Sequence, residues 1–419
     1  MISSSALVQS LLESGAYEGR VALRFFLVFN KVALLESKFS GELRTGESGG
    51  EGGRKPDRHK PKEKPHTHTQ TRKLIGPNES LQWLLQQRAT MATTPTQGKW
   101  VQLNQKGTGP GARSSHAIAL VGNKVYAFGG EFQPRVPVDN HLYAFDLETE
   151  TWSIQEATGD APPPRVGVAM AAVGPIIYFF GGRDATHQEL NQLYCFNTST
   201  NQWKLLSSGE TGPQNRSYHS ITADSQNVYV FGGCGVEGRL NDLWAYNVVD
   251  QKWIKFPSPG EACRGRGGPG LAVVQGKIWV VYGFAGEEAD DVHCFDIAKG
   301  EWKEVETKGE KPSPRSVFST AVVGKQILIS GGEIDPSDLG HMGAGCFTAD
   351  AYGLDTETLE WRKWDDGVGS ETEEHPGPRG WCAFAAGSRD GKEGLLVYGG
   401  NSPSNDRLDD IFFFTPTVK

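Results

Sequence analysis

The stretch Val125-Tyr-Ala-Phe-Gly-Gly130 places apolar and aromatic residues directly before a pair of glycines, and variants of it recur along the chain. The recurrences are Ile177-Tyr-Phe-Phe-Gly-Gly182, Val228-Tyr-Val-Phe-Gly-Gly233, Ile327-Leu-Ile-Ser-Gly-Gly332 and Leu396-Val-Tyr-Gly-Gly400, with a degenerate copy at Trp279-Val-Val-Tyr-Gly-Phe284. A β-rich run that returns at a period of about fifty residues indicates a repeat architecture. The count of these runs predicts six repeats.

A tryptophan recurs in step with the doublets, at Trp100, Trp152, Trp203, Trp253, Trp302 and Trp361. An aromatic-rich strand that ends in Asp or Asn, such as Leu142-Tyr-Ala-Phe-Asp146, lies between each doublet and the next tryptophan. The constant spacing from this Asp or Asn to the tryptophan is typical of a hairpin with an Asx turn. With a first strand such as Ser115 to Val121, each repeat is predicted to hold four short antiparallel strands, which we label a to d.

The composition supports an all-β protein. The 419 residues include 53 Gly and only 4 Met, which disfavours a helical bundle. No run of 18 or more residues lacks a charged side chain, so we expect no transmembrane helix and no membrane partner. Six scattered cysteines fit neither a disulfide scaffold nor a CxxC zinc site, and they predict a reducing, cytoplasmic location.

The first ninety residues differ in kind from the rest. Residues 1–90 carry 14 Lys/Arg and 9 Asp/Glu, whereas residues 91–419 carry 28 and 41. The N-terminal segment is rich in Gly, Pro, Lys and His and has little hydrophobic periodicity, so we predict a disordered extension at 1–90 and one propeller domain at 91–419. Met91 is a candidate native start. A basic tail can direct nuclear import or bind nucleic acid, but we interpret it as a solvated tail without a nucleic-acid partner, which leaves the nucleus as a second compartment.

Repeats of this length with a glycine doublet and a tryptophan resemble the kelch signature, and that resemblance implies a six-bladed β-propeller. Trp100 belongs to a d strand that has no preceding a, b and c strands. The last repeat ends with Asp410-Ile-Phe-Phe-Phe414 and has no tryptophan after it. We therefore predict that the N-terminal strand completes the sixth blade and removes the free sheet edges.

The repeat is expanded at two places. Gly332 and Trp361 stand 29 residues apart, against 18 to 22 in the first four repeats, so the b–c loop from Glu333 to Ala349 is long. A second insertion, Gly367 to Pro378, lies partly in the following d–a connection. In a propeller of up-and-down strands, b–c loops and d–a connections share one end, so the two insertions are predicted to meet at one mouth.

Arginines are predicted to gather at the same mouth. One precedes each a strand, at Arg113, Arg165, Arg216, Arg266, Arg315 and Arg379, and Arg183 and Arg239 lie on b–c loops. Guanidinium groups concentrated at one opening favour an anionic ligand. We expect the six periodic arginines chiefly to bind carbonyls of adjacent blades, with Arg113 and Arg216 as candidate substrate contacts. Arg183 and Arg239 are the stronger candidates for ligand contact.

The long fifth loop holds Glu333, Asp335, Asp338 and His341 within nine residues. One histidine and two carboxylates can hold a divalent first-row metal with open positions, as in non-haem Fe(II) sites. A solvated acidic loop is the alternative interpretation, and by itself the loop favours it.

Several segments resemble the plant nitrile-specifier and epithiospecifier proteins, from Met91 to the C-terminus. They are Gly111-Ala-Arg-Ser-Ser-His116, Val281-Tyr-Gly-Phe284, Pro314-Arg-Ser-Val-Phe318, Gly332-Glu333, His341-Met-Gly-Ala-Gly345, Arg379-Gly-Trp-Cys-Ala-Phe384 and Leu408-Asp-Asp-Ile411. The resemblance implies a plant-defence lyase that diverts the thiohydroximate-O-sulfate released from a glucosinolate by myrosinase. With Fe(II), the product is a simple nitrile instead of an isothiocyanate.

The resemblance also implies site residues. Glu333, Asp338 and His341 would hold Fe(II), although the family's metal motif has Asp where this chain has Ser337. Arg183 and Arg239 would be catalytic and would bind the sulfate end of the substrate, with Arg113 and Arg216 beside them. Two rivals stay open. One is a propeller that binds an acidic protein partner, and the other is a galactose-oxidase-like copper enzyme, which Cys195 and Cys294 disfavour because they lie on c strands away from the axis.

Overall fold

A computed structural model describes residues 98–369 and 374–417, without the side chain of His341. Strand β1 (Gly98–Gln102) is followed by the first blade, with β2 (Lys106–Gly107), β3 (Ser114–Val121), β4 (Lys124–Glu131), β5 (Tyr143–Asp146) and β6 (Thr151–Ile154). The second blade contains β7 (Thr158–Gly159), β8 (Ala169–Val173), β9 (Ile176–Phe180), β10 (Leu193–Asn197) and β11 (Gln202–Ser207). The predicted extension at 1–90 lies outside the described residues and stays a prediction.

The remaining four blades repeat this plan. The third has β12 (Ser220–Ala223), β13 (Asn227–Phe231), a small hairpin of β14 (Cys234–Gly235) and β15 (Gly238–Arg239), then β16 (Leu243–Asn247) and β17 (Lys252–Lys255). The fourth has β18 (Gly270–Val274), β19 (Lys277–Phe284), β20 (Glu288–Asp296) and β21 (Glu301–Glu304), after a 3-10 turn at Gly260–Ala262.

The fifth blade contains β22 (Lys308–Gly309), β23 (Ser319–Val323), β24 (Gln326–Ser330), β27 (Ala351–Asp355) and β28 (Glu360–Asp365). Its long b–c loop folds into a hairpin of β25 (Glu333–Asp335) and β26 (Cys346–Phe347), with a 3-10 turn at Gly340–Met342. The sixth blade has β29 (Ala383–Arg389), β30 (Lys392–Asn401) and β31 (Arg407–Pro416).

Closure of the propeller occurs as the sequence predicts. Strand β1 pairs antiparallel with β31 in the sheet order β1-β31-β30-β29, with Trp100 opposite Phe414. The Trp100 indole N–H also donates a hydrogen bond of 2.6 Å to Asp365 Oδ2 of the fifth blade. The first strand of the propeller thus supplies the d strand of the last blade. The prediction of an all-β, six-bladed kelch propeller closed by an N-terminal strand is confirmed.

The doublets exist because neighbouring blades approach each other closely there. Gly129 has φ of 75°, and a Cβ there would lie 2.7 Å from the Arg165 carbonyl oxygen of the next blade. Gly130 has φ of 94°, and a Cβ there would lie 2.6 Å from His116 Cβ of its own blade. The Gly130 N–H donates to the carbonyl oxygen of Arg165 in the next blade, and the equivalent bond from Gly400 to Arg113 closes the ring. Only glycine combines this backbone conformation with this contact.

The hydrophobic core lies between the blades. Phe128 of the first blade packs against Phe179 and Trp203 of the second, with ring centroids 5.4 Å and 5.8 Å away. Trp203 is 4% exposed. The recurring tryptophans therefore act as wedges that bury apolar area between successive sheets. Within the described residues, no helix has the length and apolarity needed to cross a bilayer.

Candidate functional site

Two cavities lie along the propeller axis. A channel of about 380 Å³ is lined by the a strands of all six blades, and a mouth cavity of about 350 Å³ is lined chiefly by b–c loops and the residues before the a strands. Tyr218, Gly268, Val317 and Trp381 border both of them. The mouth cavity has the size of a small-molecule site, for which volumes of about 300 to 1,000 Å³ are usual.

The residue that directly follows each doublet turns toward this mouth. These residues are Glu131, Arg183, Cys234, Phe284, Glu333 and Asn401, and each pairs with the residue after a periodic arginine. All of them except Arg183 line the mouth cavity. The position after the doublet is thus a sequence signal for the site. From this position we predicted a ligand contact for Arg183 alone.

Arg239 reaches the mouth cavity, as predicted. Its backbone pairs with Cys234 in the small hairpin of the third blade, and its side chain is exposed and lines the cavity. The guanidinium carbon lies 4.4 Å from the centroid of the Phe284 ring, in cation–π contact. Its positive charge also favours the ionised form of Glu288 and so opposes the rise in the pKa of that carboxyl. Among the described residues, no salt bridge is found for Arg239, so its donors are available for an anion.

Arg183 is placed differently. Its Nε donates a hydrogen bond of 2.9 Å to Glu189 Oε1, and its Nη2 contacts the same oxygen. The guanidinium carbon lies 5.9 Å from the centroid of the Tyr218 ring. Arg183 is not among the residues that line the mouth cavity. The ion pair with Glu189 already satisfies part of its charge, so its predicted contact with substrate stays a prediction that this geometry does not favour.

Arg113 and Arg216 lie inside the fold. They are 1% and 0% exposed, and the Nη1 atom of each donates to the first doublet carbonyl of its own blade, at Gly129 and Gly232. Asp139 and Asp242 neutralise their charges. We expected a structural role of the periodic arginines as a set, but with carbonyls of adjacent blades, whereas the carbonyls observed belong to the arginine's own blade. Their separate assignment as substrate contacts stays a prediction, and their burial argues against it.

Two carboxylates at the mouth are held in an unusual electrostatic state. Glu333 is 7% exposed and accepts a backbone hydrogen bond from Gly345, and burial raises its pKa to about 7. Glu288 accepts a hydrogen bond of 3.1 Å from the Ser316 hydroxyl, and burial raises its pKa to about 8. The Glu333 carboxylate further raises the pKa of Glu288, and Asp335 raises that of Glu333, because like charges disfavour joint ionisation. Perturbed acids in a cleft are typical of functional sites.

The residues of the predicted metal site are only partly brought together. Glu333, Pro336, Ser337, Gly340 and Gly343 line the mouth cavity, whereas Asp338 is exposed and is not one of its lining residues. The described part of the chain contains no cluster of three His, Cys, Asp or Glu side chains suited to a metal, and the His341 side chain lies outside that part. His341 stands between Gly340 and Gly343, so its backbone runs along the cavity wall.

The Ser337 hydroxyl is already used within the loop. It accepts a hydrogen bond of 3.1 Å from the Leu339 N–H, which stabilises a local turn. Glu333 fits a divalent cation, because it is a buried carboxylate that faces a cavity and gains from a nearby positive charge. Asp338 in its observed position does not fit, and its role as a ligand stays a prediction.

Four charged or polar residues in or beside the mouth were not predicted. Glu131, Asn401 and Arg407 line the side of the mouth formed by the first and sixth blades. Glu288 of the fourth blade does not line the cavity but accepts a hydrogen bond from the lining residue Ser316. Glu131 and Asn401 could have been found from their position after a doublet. Arg407 and Glu288 each pair with the residue after a doublet, as Arg239 and Glu189 do, so their position also recurs from blade to blade.

Comparisons with known proteins agree with this architecture. The family model for the KLHDC2/KLHL20/DRC7 Kelch-repeats domain matches residues 115–332. The chain is 44% identical over 343 residues to the N-(sulfonatooxy)prop-2-enimidothioate sulfolyase of Thlaspi arvense, which covers 76% of this chain and 97% of the relative.

More distant similarities extend the picture of the fold. Kelch domain-containing protein 3 of Rattus norvegicus is 27% identical over 236 residues, covering 53% of this chain and 62% of that protein. The solved structure described as the structure of YjhT aligns with a TM-score of 0.57 at 16% identity, over 72% of this chain and 94% of that one. At this identity the structural likeness concerns the fold alone.

Proposed function

The chain belongs to the kelch-repeat family of plant nitrile-specifier proteins, and on that premise we propose that it acts as a lyase on glucosinolate aglycones. The substrate is the thiohydroximate-O-sulfate that myrosinase releases, and the product is a simple nitrile formed with Fe(II) in place of an isothiocyanate. The name of the Thlaspi arvense relative, a sulfolyase of an N-sulfonatooxy imidothioate, supports this substrate class.

One observation carries the proposal. A single cavity of about 350 Å³ is bordered by the available guanidinium of Arg239 and by the buried carboxylate of Glu333. The proposed substrate has a sulfate group at one end and a thiolate at the other. A site with a cationic group and a cation-holding carboxylate is complementary to both ends of such an anion.

Glu333 and His341 are the residues that we propose to hold Fe(II), with Asp338 as the third ligand if the loop moves. When bound, Fe(II) supplies a Lewis acid that accepts the sulfur of the substrate. The raised pKa of Glu333 favours this role, because a divalent cation replaces the proton that the buried carboxyl otherwise keeps.

The chain's own residues do the positioning. Arg239 binds the sulfate end by charge-assisted hydrogen bonds, each worth about 1.5 to 3 kcal/mol. The guanidinium of Arg239 lies over the face of the Phe284 ring, and Val317 and Trp381 line the cavity where it meets the axial channel. Holding both ends of the substrate suppresses the migration that gives isothiocyanate, because the migrating group cannot reach the required geometry.

An interaction propeller is the second candidate, and one observation favours it. Several large apolar side chains on the loops around the mouth are exposed, namely Phe132, Val136, Val236, Leu339, Met342 and Val368. Apolar side chains that rim an opening are common at protein-binding surfaces. In this reading Arg239 binds an acidic segment of a protein partner, and the carboxylates have no catalytic role.

A product assay separates the two candidates. Myrosinase and a glucosinolate are incubated with and without this protein and Fe(II), and nitrile and isothiocyanate are measured by gas chromatography. The proposal predicts a nitrile yield that depends on both additions. An unchanged isothiocyanate yield at saturating Fe(II) would favour the interaction propeller. His341→Ala should abolish the nitrile, whereas His187→Ala, which alters an exposed histidine of the second b–c loop, should leave its yield unchanged.

A further inference from the structure

Arg407 is a second guanidinium at the mouth cavity, and it pairs with Asn401 after the last doublet as Arg239 pairs with Cys234 after the third. It begins strand β31 of the sixth blade, and its side chain is 4% exposed. It lines the cavity together with Glu131 and Asn401. A buried arginine beside a cavity is costly unless its donors are satisfied, so the partners of each nitrogen decide what it can bind.

Only one of its three nitrogens is engaged in short hydrogen bonds. Nη1 donates to Asn401 Oδ1 at 3.0 Å and to the Asn405 carbonyl oxygen at 3.1 Å. Nη2 lies 3.8 Å from Glu131 Oε1, which is beyond hydrogen-bond length. Nε is buried without a hydrogen-bond partner. A guanidinium has five N–H donors in a fixed plane, and the N–H donors on Nη2 and Nε of Arg407 lack short hydrogen bonds.

The Glu131 carboxylate does not accept a short hydrogen bond from Arg407. Its Oε1 accepts a hydrogen bond of 3.2 Å from the Ser115 hydroxyl, and its Oε2 accepts one of 2.5 Å from the Arg135 N–H. The carboxylate is thus held by the first blade, and Arg407 is held by the sixth through Asn401 and Asn405. Burial also lowers the pKa of Arg407, which is the expected sign of a cation that lacks full compensation.

Arg407 and Arg239 lie on opposite sides of the mouth cavity. Arg239 belongs to the third blade and Arg407 to the sixth, which are opposite members of a ring of six. Both line one cavity. Arg183, in contrast, is bound to Glu189 and lies off the cavity wall. Two guanidinium groups that face each other across a small cavity suit an anion that is held from both sides.

We propose that Arg407 binds the sulfate-ester end of the ligand in the mouth cavity, facing Arg239. The assignment of a sulfate ester rests on the proposed function, whereas the binding of an oxoanion at Arg407 does not. Asn401 and Asn405 act as positioning residues, because they fix Nη1 and leave the rest of the guanidinium directed toward the ligand.

The test uses the full chain and measures binding directly. Sodium sulfate and methyl sulfate are titrated by calorimetry at low ionic strength, without Fe(II), myrosinase or glucosinolate. Arg407→Gln should raise the dissociation constant for both ions at least tenfold. Arg264→Gln is the matched control, because Arg264 is an exposed arginine paired with Glu287, and it should change the constant less than twofold.

Two additions keep the test decisive. If Arg407→Gln unfolds, as judged from its thermal midpoint, the double variant Glu131→Gln/Arg407→Gln leaves a neutral pair and should show the same loss of binding. The inference is overturned if the wild type binds neither ion, or if Arg183→Gln abolishes binding while Arg407→Gln does not. If sulfate binds through Arg407 but no nitrile forms, the proposed function alone is contradicted. If Arg407→Gln leaves nitrile formation unchanged, this inference alone is contradicted.

Discussion

The backbone N–H of Ser115 donates a hydrogen bond of 2.9 Å to the carbonyl oxygen of Trp381, and this bond joins the first blade to the sixth. It is one member of a closed ring. The other members link Gly167 to Ser115, Tyr218 to Gly167, Gly268 to Tyr218, Val317 to Gly268 and Trp381 to Val317. All six residues have positive φ, between 47° and 62°. The ring fixes the floor of the mouth cavity and places Trp381 and Val317 on its wall.

Trp100→Ala should destabilise the propeller by about 3 to 5 kcal/mol, which is typical of deleting a buried tryptophan. Trp100 is 6% exposed, and its ring centroid lies 4.8 Å from that of Phe414 in the strand pair that closes the ring. Denaturant unfolding followed by circular dichroism measures the loss. The half-exposed Ile154 provides the control, since Ile154→Ala should cost less than about 1 kcal/mol. Equal effects of both changes would contradict the closing role of Trp100.

Gln192→Asp should stabilise the second blade by about 1 kcal/mol, because it supplies a missing ion pair. The Gln192 carbonyl accepts the Gly181 N–H as the Asp242 carbonyl accepts that of Gly232, so the two positions are equivalent. Asp242 pairs with Arg216, whereas Arg165 Nη2 has no partner and burial lowers the pKa of Arg165 to about 10.

The reverse exchange, Asp242→Gln, serves as the matched control and should destabilise the third blade by a similar or larger amount. Thermal midpoints of the two variants should therefore move in opposite directions. Movement of both in the same direction would show that the carboxylate at this position does not set blade stability.

Stability should fall as the pH rises from about 6.5 to 9. Burial opposes the protonation of His293, but its hydrogen bond of 2.7 Å to Asp291 outweighs that cost and raises the pKa of His293 to about 9. A histidine whose folded pKa exceeds its unfolded value stabilises fully below the unfolded pKa, and this contribution is lost as pH passes the folded pKa. Thermal midpoints across this range should decline less in His293→Gln. An identical slope in both proteins would refute the assignment.

Glu333→Gln should abolish Fe(II)-dependent nitrile formation while the protein stays folded. The amide lacks the charge that holds a cation, but it fits the same buried position. Because burial raises the pKa of Glu333 to about 7, the metal-free folded protein loses stability as pH rises from the ordinary glutamate pKa, and this loss is complete above about pH 7. In a chelating buffer at pH 8, the variant should thus be at least as stable as the wild type.

The control for this change is Glu237→Gln, which alters an exposed glutamate on the third b–c loop and should retain the nitrile yield. Product analysis and thermal unfolding are measured on the same samples. Nitrile formed by Glu333→Gln at the wild-type rate would mean that the metal is held elsewhere.

Arg239→Ala should chiefly raise the substrate concentration needed for half-maximal nitrile formation, by about ten- to a hundredfold for one charge-assisted contact. The guanidinium is exposed and stacks on Phe284, so its loss leaves the blade core intact. Dose response at saturating Fe(II) measures the shift, with Arg264→Ala as the control. An unchanged dose response would make Arg239 a surface residue without contact to the ligand.

Local sequence was sufficient for the blade plan. The doublets, the tryptophans and the Asx turns each make contacts within one blade or between neighbouring blades. Because these contacts recur in every blade, the residues that make them recur at the same period in the sequence. The position of Glu333 at the mouth could likewise be predicted, since a residue that follows a doublet always leaves the b strand at the same end.

The function of individual arginines could not be predicted in this way. Arg183 and Arg239 look alike in the sequence, but Glu189 pairs with the first, while Phe284 from the next blade leaves the second available. Arg407 is placed by its pairing with Asn401 of the same blade, and closure of the ring then brings it near Glu131 of the first blade.

The sequence by itself therefore determined the number of blades, the closing strand and the end at which the loops gather, because these follow from periodic, short-range contacts. The tertiary structure decided which charged groups face the cavity and which are neutralised inside the walls. The reason is that the direction and partner of a side chain such as Arg407 depend on blades that are distant in the chain and adjacent only after closure.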